Sequence, residues 1–304
     1  RRSGAPVAPL LAVVVLVAAL SACVAPRGYI TEPRPERSDT LMIGTFNIRL
    51  RYGDGRPNDW EERRETVIEL IRMEDPDILA LQEVMEDGHE NRRPSVQLQD
   101  LVAAFPDYEF VGAGDGVTVP SDNPIMIRSN RFRCDADGTA FFSRTPEVPF
   151  TVAWAAGRPV YAQWALLTDL VTGERLYVVN VHYDHLSGPS KRNASRIVRR
   201  YLESELTGGE GAGGEIPVVV LGDFNSFRLS IPMSTLRRAG LRDGLPVTWT
   251  GTYHMFTGVS LWPRIDHILV SDSVDVHHAY VCYFRSPEVF PSDHFPVFAT
   301  VEID

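Results

Sequence analysis

Cysteine is scarce in this sequence: Cys23, Cys134 and Cys282 are the only three in 304 residues. Three thiols cannot build a disulfide-dense scaffold, and no Cys-x-x-Cys pair is present to suggest a zinc ribbon or a redox motif. A surplus of basic charge is also missing. The 30 Lys and Arg stand against 40 Asp and Glu, for a net charge of −10. That excludes a protein that coats nucleic acid through a broad basic face, but not one that grips a few phosphates through metal ions. No apolar run reaches the roughly 20 residues of a transmembrane helix. There is no internal repeat and no shift of composition to mark a second folded domain. Low complexity is confined to TGGEGAGGE at 207–215, which reads as a surface loop. What is there is ordinary for one large globular domain, with 44% hydrophobic residues.

The N-terminal part reads as something other than fold. Arg1 and Arg2 precede the eleven-residue apolar run LLAVVVLVAAL at 10–20. A positive flank and a short apolar core are the parts of a secretory signal peptide. The run ends in Leu20-Ser21-Ala22-Cys23, which resembles the lipobox of bacterial lipoproteins. By that resemblance residues 1–22 are a signal peptide cleaved before Cys23, whose sulfur carries a lipid. Residues 23–40, rich in Pro, Arg, Glu and Ser, read as a disordered tether. The expected location is the bacterial cell envelope, exported and membrane-anchored, where a disulfide is permitted. No protein partner is evident.

From 41 to 304 β-rich and helical stretches alternate. Strands are expected at 41–48, 78–81, 124–128, 160–168, 176–181, 218–221, 265–270 and 295–301. Helices are expected at 59–74, 96–105 and 189–206. In the first helix Asp59 is the expected cap, Glu62 closes a capping box, and Trp60, Val67, Leu70 and Ile71 share a face. The aliphatic run 218–221 implies a strand covered on both sides. More strands than helices, without a regular βαβ series, argue against doubly wound and TIM arrangements.

Polar clusters sit at the ends of these apolar runs. They are Asn47 in TFNIR, Glu83 in LQEV, His182 and Asp184 in VNVHYDH, Asp223 and Asn225 in LGDFN, Asp266 and His267 in RIDHILV, and Asp293 and His294 in SDHFPV. Strand ends at one rim of a sheet can converge on a single site. Carboxylates and amides without a thiolate cluster select a hard divalent cation, Mg²⁺ or Mn²⁺, which keeps positions open for phosphate. A metal that polarises a phosphoryl oxygen, with His or Asp to move protons, makes a hydrolase of phosphate esters.

These motifs, in this order from FNIR to SDHFPV, resemble the endonuclease/exonuclease/phosphatase (DNase I-like) superfamily, and within it an exported bacterial branch. That branch pairs FNIR with a Trp-led helix and PDILALQE, and HxDHxS with an Arg-rich helix. The resemblance implies an α/β fold of two packed mixed β-sheets flanked by helices, a four-layer sandwich. It implies that Glu83 and Asn47 hold the metal, with Asp293 completing its shell or orienting His294. Asp266 would orient His294, which handles the proton of the attacking water. Asp223 and Asn225 would bind phosphate and position the nucleophile, with Asp223 the rival general base. His182 would hydrogen-bond a phosphate oxygen or act as the acid. The implied partner is a phosphate-ester substrate: nucleic acid, a phospholipid head group or a small phosphodiester. Many relatives support the first His with a Glu seven residues before the Arg of PIxxR. Here that position is Ser121, with Asp122 beside it as the possible substitute.

Other polar residues have plainer readings. His267 reads as a sheet residue, Asp184 and His185 as loop braces, and His277, His278 and His89 as solvated. His254 reads equally as loop packing or a rim contact, and Arg158 as a phosphate clamp or a surface ion pair. The tryptophans read as core, except Trp262 before Pro263, a candidate substrate-loop residue. A non-catalytic binding lipoprotein that kept the fold is the competing function. It predicts losses among Asn47, Glu83, His182, Asp223, Asn225, Asp266, Asp293 and His294, and all eight are present.

Overall fold

The computed structural model describes residues 39–85, 95–114, 120–207, 216–245, 251–287 and 289–303. All described elements belong to one compact unit, Pro35–Asp304. The expected leader, the expected tether up to residue 38, His89, Trp249 and nearly all of the Gly-rich loop lie outside the described residues, while Thr40, expected in the tether, opens the first strand.

Alternating apolar residues build two six-stranded sheets. The first contains β1 (Thr40–Asn47), β2 (Ile78–Gln82), β3 (Tyr108–Val111), β4 (Ile125–Arg128), β11 (Val274–Val281) and β12 (Val297–Ile303), in the order β11-β12-β1-β2-β4-β3. The second contains β5 (Phe132–Phe141), β6 (Tyr161–Asp169), β7 (Arg175–His182), β8 (Val218–Asp223), β9 (Arg242–Asp243) and β10 (Asp266–Val270), in the order β5-β6-β7-β8-β10-β9. Both sheets are mixed: β1 with β2 and β7 with β8 run parallel, and the other pairs are antiparallel. Among the described residues four helices complete the fold: α1 (Trp60–Glu74), α2 (Val96–Ala104), α3 (Gly188–Thr207) and α4 (Ile231–Arg237).

The period of two assigns each side chain to a layer. Leu41, Ile43, Ile78 and Ile127 from the first sheet pack with Leu167, Val178, Val219 and Leu221 from the second to form the central core. Phe46, Leu79, Leu81 and Phe298 face the other way, onto Trp60, Val67, Leu70 and Leu98 of α1 and α2. Val218 and Val220 likewise point out, onto Ala194, Ile197 and Val198 of α3 and Met233 and Leu236 of α4. The result is the expected sandwich of helices, sheet, sheet and helices. Strand β8 is covered on both faces, as its unbroken aliphatic run requires.

The expected capping box is not formed. Asp59 is the N-cap of α1, but its side chain makes no capping bond and instead accepts from the Gly55 amide at 3.2 Å. The Glu62 carboxylate pairs with Arg56 at 3.0 Å. The loop before the helix competes successfully for both groups. Cys134 and Cys282 are both free thiols.

Candidate active site

Topology gathers the polar clusters. Strands β1, β2, β7 and β8 end at one rim in Asn47, Gln82 with Glu83 following, His182 and Asp223. Strand β10 runs antiparallel to β8, so its first residue, Asp266, pairs with Asp223. Strand β12 runs antiparallel to β1, so Asp293 and His294, just before it, arrive at the same rim. Beneath them the two sheets are tied by a buried polar layer. Gln82 Nε2 donates to Asn180 Oδ1 at 2.7 Å and to Thr45 Oγ1 at 3.1 Å, and Asn180 Nδ2 donates to Leu81 O at 2.7 Å.

Two sharp turns aim the carboxylates. Glu83 has φ 59° and Asn225 φ 46°, left-handed conformations that few residues other than glycine adopt. Before Asp223, Gly222 has φ 148°, and a Cβ there would lie 2.0 Å from Val181 O. Only glycine lets β8 pass β7 so closely at the strand end.

Asn47 Nδ2 lies between Glu83 Oε1 (3.1 Å) and Asp223 Oδ2 (3.2 Å), joining a residue of the first sheet to one of the second. Glu83 Oε2 also accepts from the Leu50 amide at 3.2 Å. Asp223 Oδ1 accepts from the Asn225 amide at 2.8 Å, while Asn225 Nδ2 donates to Tyr183 O at 2.9 Å and approaches Asp223 Oδ2 at 3.3 Å. His294 Nδ1 is 2.9 Å from Asp266 Oδ2, and its Nε2 is 3.9 Å from Asp223 Oδ2. His182 Nε2 faces the same carboxylates, 3.8 Å from Glu83 and 3.7 Å from Asp223. Asp293 reaches Glu83 through Arg49, whose guanidinium lies 3.7 Å from one carboxylate and 3.5 Å from the other. All eight residues expected from the sequence therefore share one rim.

Burial and charge set the protonation states. Burial alone would lower the His294 pKa, but Asp266 at hydrogen-bond distance, with Asp223 and Asp293 behind it, raises it to about 10. Burial and the like charge of Asp266 raise Asp223 to about 7, against the pull of His294. Burial lowers His182 to about 3, helped by the Arg158 guanidinium. Burial would raise Glu83, but His182, Arg49, Arg158 and the Asn47 amide together hold it below the usual carboxylate range. With His182 neutral near pH 7, that field comes from the two arginines.

Among the described residues, one group of acidic and imidazole side chains has ligand atoms within 4.8 Å of one another: Asp223, Asp266 and His294. Its His294 Nδ1 is already committed to Asp266. Asp266 Oδ1 is buried without a partner. Glu83 and Asp293 converge on one cationic group, Arg49, the electrostatic setting that a divalent ion also needs. A donor set of carboxylates and an amide suits a hard cation.

Several plain readings hold. His267 donates from Nε2 to Ser226 O at 2.9 Å inside the sheet. Asp184 braces its loop, accepting from the Leu186 and Ser187 amides and, at 3.0 Å, from Gly157 N. His254 is loop packing: it is buried, stacks on Phe295 at 3.9 Å, and its Nδ1 accepts from Gly258 N at 3.2 Å. Arg158 makes the expected ion pair, its Nη1 3.3 Å from Asp122, but the pair is half-buried and its Nη2 also lies 3.1 Å from His182 Nδ1. Asp122 thus reaches His182 only through an arginine. Asp293 does not orient the His294 ring; that contact belongs to Asp266. Trp262 is 64% exposed, and Trp154 and Trp164 pack on the core, as expected.

Arg63 was missed. This fully buried guanidinium donates to Ile48 O (2.7 Å), Arg49 O (3.2 Å), Leu50 O (3.0 Å), Asn58 O (2.5 Å) and Pro291 O (2.6 Å). It ties the segment after Asn47 to the segment before Asp293. A signal was available, because Arg63 stands three residues after Trp60 and four before Val67, on the apolar face of α1.

Residues 44–294 match the Endonuclease/Exonuclease/phosphatase family. A protein of that family from Bacteroides thetaiotaomicron has a crystal structure that superposes with a TM-score of 0.74, at 27% identity over 87% of this chain and 98% of its own. The mannosyl-6-phosphatase of the same organism superposes with a TM-score of 0.73, at 27% identity over 86% of this chain and 99% of its own. An uncharacterized protein of Acanthamoeba polyphaga mimivirus is 22% identical over 260 residues, 78% of this chain and 90% of that protein.

Proposed function

The chain belongs to the endonuclease/exonuclease/phosphatase family of phosphoester hydrolases, and from that premise we propose a divalent-metal-dependent hydrolase of phosphate esters, exported and held at a membrane by lipid on Cys23. The observation that carries the catalytic part is the convergence of Glu83, Asp223 and His294, from both sheets and three distant stretches of sequence, around the Asn47 amide.

Glu83, Asn47 and Asp293 would hold Mg²⁺ or Mn²⁺. When bound, the ion supplies a Lewis acid that polarises a phosphoryl oxygen. Asp266 fixes the His294 ring and keeps it protonated, so His294 donates to the substrate at neutral pH. Asp223, poised near neutrality, is then the better acceptor for the proton of the attacking water. Asn225 braces Asp223. His182 directs Nε2 at the same space.

Two observations bear on the substrate. A relative at 27% identity is a mannosyl-6-phosphatase, which favours a small phosphomonoester. The loops leaving the rim expose Leu186, Phe227, Leu229, Leu261 and Trp262, which favours an ester with an apolar portion, such as a phospholipid head group. Nucleic acid has less support, because Lys191 and Arg199 of the basic helix are engaged by Asn225 O and Glu203.

Hydrolysis of bis-p-nitrophenyl phosphate with and without EDTA tests the proposal. A wild-type rate no greater than that of Glu83→Ala would favour the non-catalytic binding lipoprotein. Glu83→Gln should weaken metal binding by calorimetry, while His294→Ala should abolish turnover and keep the metal. Metal loss in His294→Ala would instead place the ion among Asp223, Asp266 and His294. A panel of sugar phosphates, phospholipids, nucleotides, DNA and RNA ranks the substrates, and Cys23→Ala should release the protein from the membrane fraction.

A further inference from the structure

The two histidines of the site are supported in opposite senses. His294 presents Nδ1 to a carboxylate, 2.9 Å from Asp266. A carboxylate accepts, so that nitrogen carries hydrogen and the imidazole is stabilised in its charged form. His182 presents Nδ1 to a guanidinium, 3.1 Å from Arg158 Nη2. A guanidinium has five donors and no acceptor, so this Nδ1 must offer its lone pair. In a neutral ring the hydrogen is then on Nε2, the nitrogen facing Glu83 and Asp223.

Arg158 is itself held from several sides. Asp122 Oδ2 lies 3.3 Å from its Nη1, and Tyr161 donates its hydroxyl to Asp122 Oδ1 in a short bond. The Tyr161 oxygen in turn accepts from Asn123 N at 3.0 Å. The neighbouring Gly157 amide is tied to Asp184, two residues after His182, at 3.0 Å. The chain Tyr161–Asp122–Arg158–His182 thus replaces a direct carboxylate–imidazole contact.

We propose that Arg158 is a positioning residue that fixes His182 in the Nε2–H tautomer, so that His182 serves the site as a permanent hydrogen-bond donor to a phosphoryl oxygen and does not shuttle protons. The donor role rests on the hydrolase assigned above; the tautomer does not, because it is set within the protein.

The test is long-range ¹H–¹⁵N correlation of histidine-labelled, Mg²⁺-loaded protein at pH 7.5, with His182 identified by its loss in His182→Gln. Wild type should show a protonated Nε2 and a bare Nδ1. Arg158→Lys, still a donor, should keep that pattern. Arg158→Met should give a tautomer mixture, and Arg158→Glu should transfer the hydrogen to Nδ1. If the protein turns over phosphoesters, Arg158→Met should lower kcat by about 10²-fold with little change in KM, the loss expected for one misaligned oxyanion donor. Added guanidinium should restore part of the rate to Arg158→Ala. A wild-type Nδ1–H signal overturns the proposal, as does an unchanged tautomer in Arg158→Met. A rise in KM alone with the tautomer preserved would make Arg158 a direct phosphate clamp and also overturn it. Should Arg158→Met fail to fold, the wild-type and Arg158→Lys spectra still decide the question. An inactive protein with the Nε2–H signal intact would sink the hydrolase and leave the tautomer standing.

Discussion

Replacing Arg63 by lysine keeps the charge and removes the fork. The wild-type side chain satisfies five backbone carbonyls, at Ile48, Arg49, Leu50, Asn58 and Pro291. An ammonium has three hydrogens, so at least two of the five lose Arg63 as a donor; the Arg49 carbonyl keeps the Gln97 amide at 2.8 Å, and at least one of the others is left unpaired. The side chain is fully buried, and water cannot readily replace it. A buried acceptor left unpaired costs about 1–3 kcal/mol, so with one or two left unpaired the loss should be about 1–6 kcal/mol. Against a typical domain stability of about 5–15 kcal/mol, the variant should fold but unfold at clearly lower urea, with the slope unchanged. Burial lowers the Arg63 pKa to about 10, with Asp293, Asp54 and Glu83 opposing the fall. The wild-type group is therefore charged at pH 7, as the lysine must be for a fair comparison. Because the carbonyls lie on the segments bearing Asn47 and Asp293, metal affinity should fall together with stability. Urea unfolding followed by tryptophan fluorescence measures the first and calorimetry the second. A destabilisation below about 1 kcal/mol would refute the accounting, and normal stability with weakened metal binding would refute the clamp.

Gly222→Ala should misplace Asp223, because its Cβ would lie 2.0 Å from Val181 O; a shift near 1 Å costs about 10²-fold in kcat, and a wild-type kcat would show that the strand end is soft. Asp243 tests linkage away from the proposed metal ligands: burial would raise its pKa, but His267 and the Arg264 guanidinium lower it to about 2. Arg264, at 2.7 Å, is the nearest partner, with Arg228 at 3.3 Å, whereas His267 Nδ1 at 3.8 Å is beyond hydrogen-bond reach. A carboxylate lowered on folding adds stability above its unfolded pKa near 4 and loses it as pH falls toward 2. The urea-midpoint gap between wild type and Asp243→Asn should therefore be full at pH 5 and shrink by pH 2.5, and a gap independent of pH would contradict the assignment. Asp266→Asn removes the charge that holds His294 at about 10. It should move the alkaline limb of kcat/KM to lower pH, and an unmoved limb would separate that limb from His294.

The strands that hydrophobic patterning missed have a common position. β3 and β11 are the edges of the first sheet, and β5 and β9 are the edges of the second. An edge strand has one neighbour, faces water and is commonly studded with charge, so its apolar alternation fades. FRCDADGTAF in β5 and VDVHHAYV in β11 show this directly. The interior strands, with a core on each face, were legible down to which residues alternate. Helix α4 was missed for another reason: seven residues with Pro232 near the start carry too little periodicity to register.

The site shows the same division between what a chain states locally and what only the fold creates. Asn47, Glu83, His182, Asp223, Asp266 and His294 were legible because each interrupts or flanks an apolar strand, and strand ends must fall on a rim. Arg158 carries no such mark, since an arginine in a loop has the same local sequence whether it faces water or a buried imidazole, and Arg63 is marked only by its place on the apolar face of α1. Their roles come from contacts across 24 residues for Arg158 with His182 and 228 for Arg63 with Pro291. The consequence is chemical. With Asp122 touching the ring directly, His182 would be a second His294, a charged imidazole held by a carboxylate. Interposing Arg158 inverts the polarity of the same scaffold, so one rim presents an imidazole that holds a proton to give and an imidazole that can only direct one.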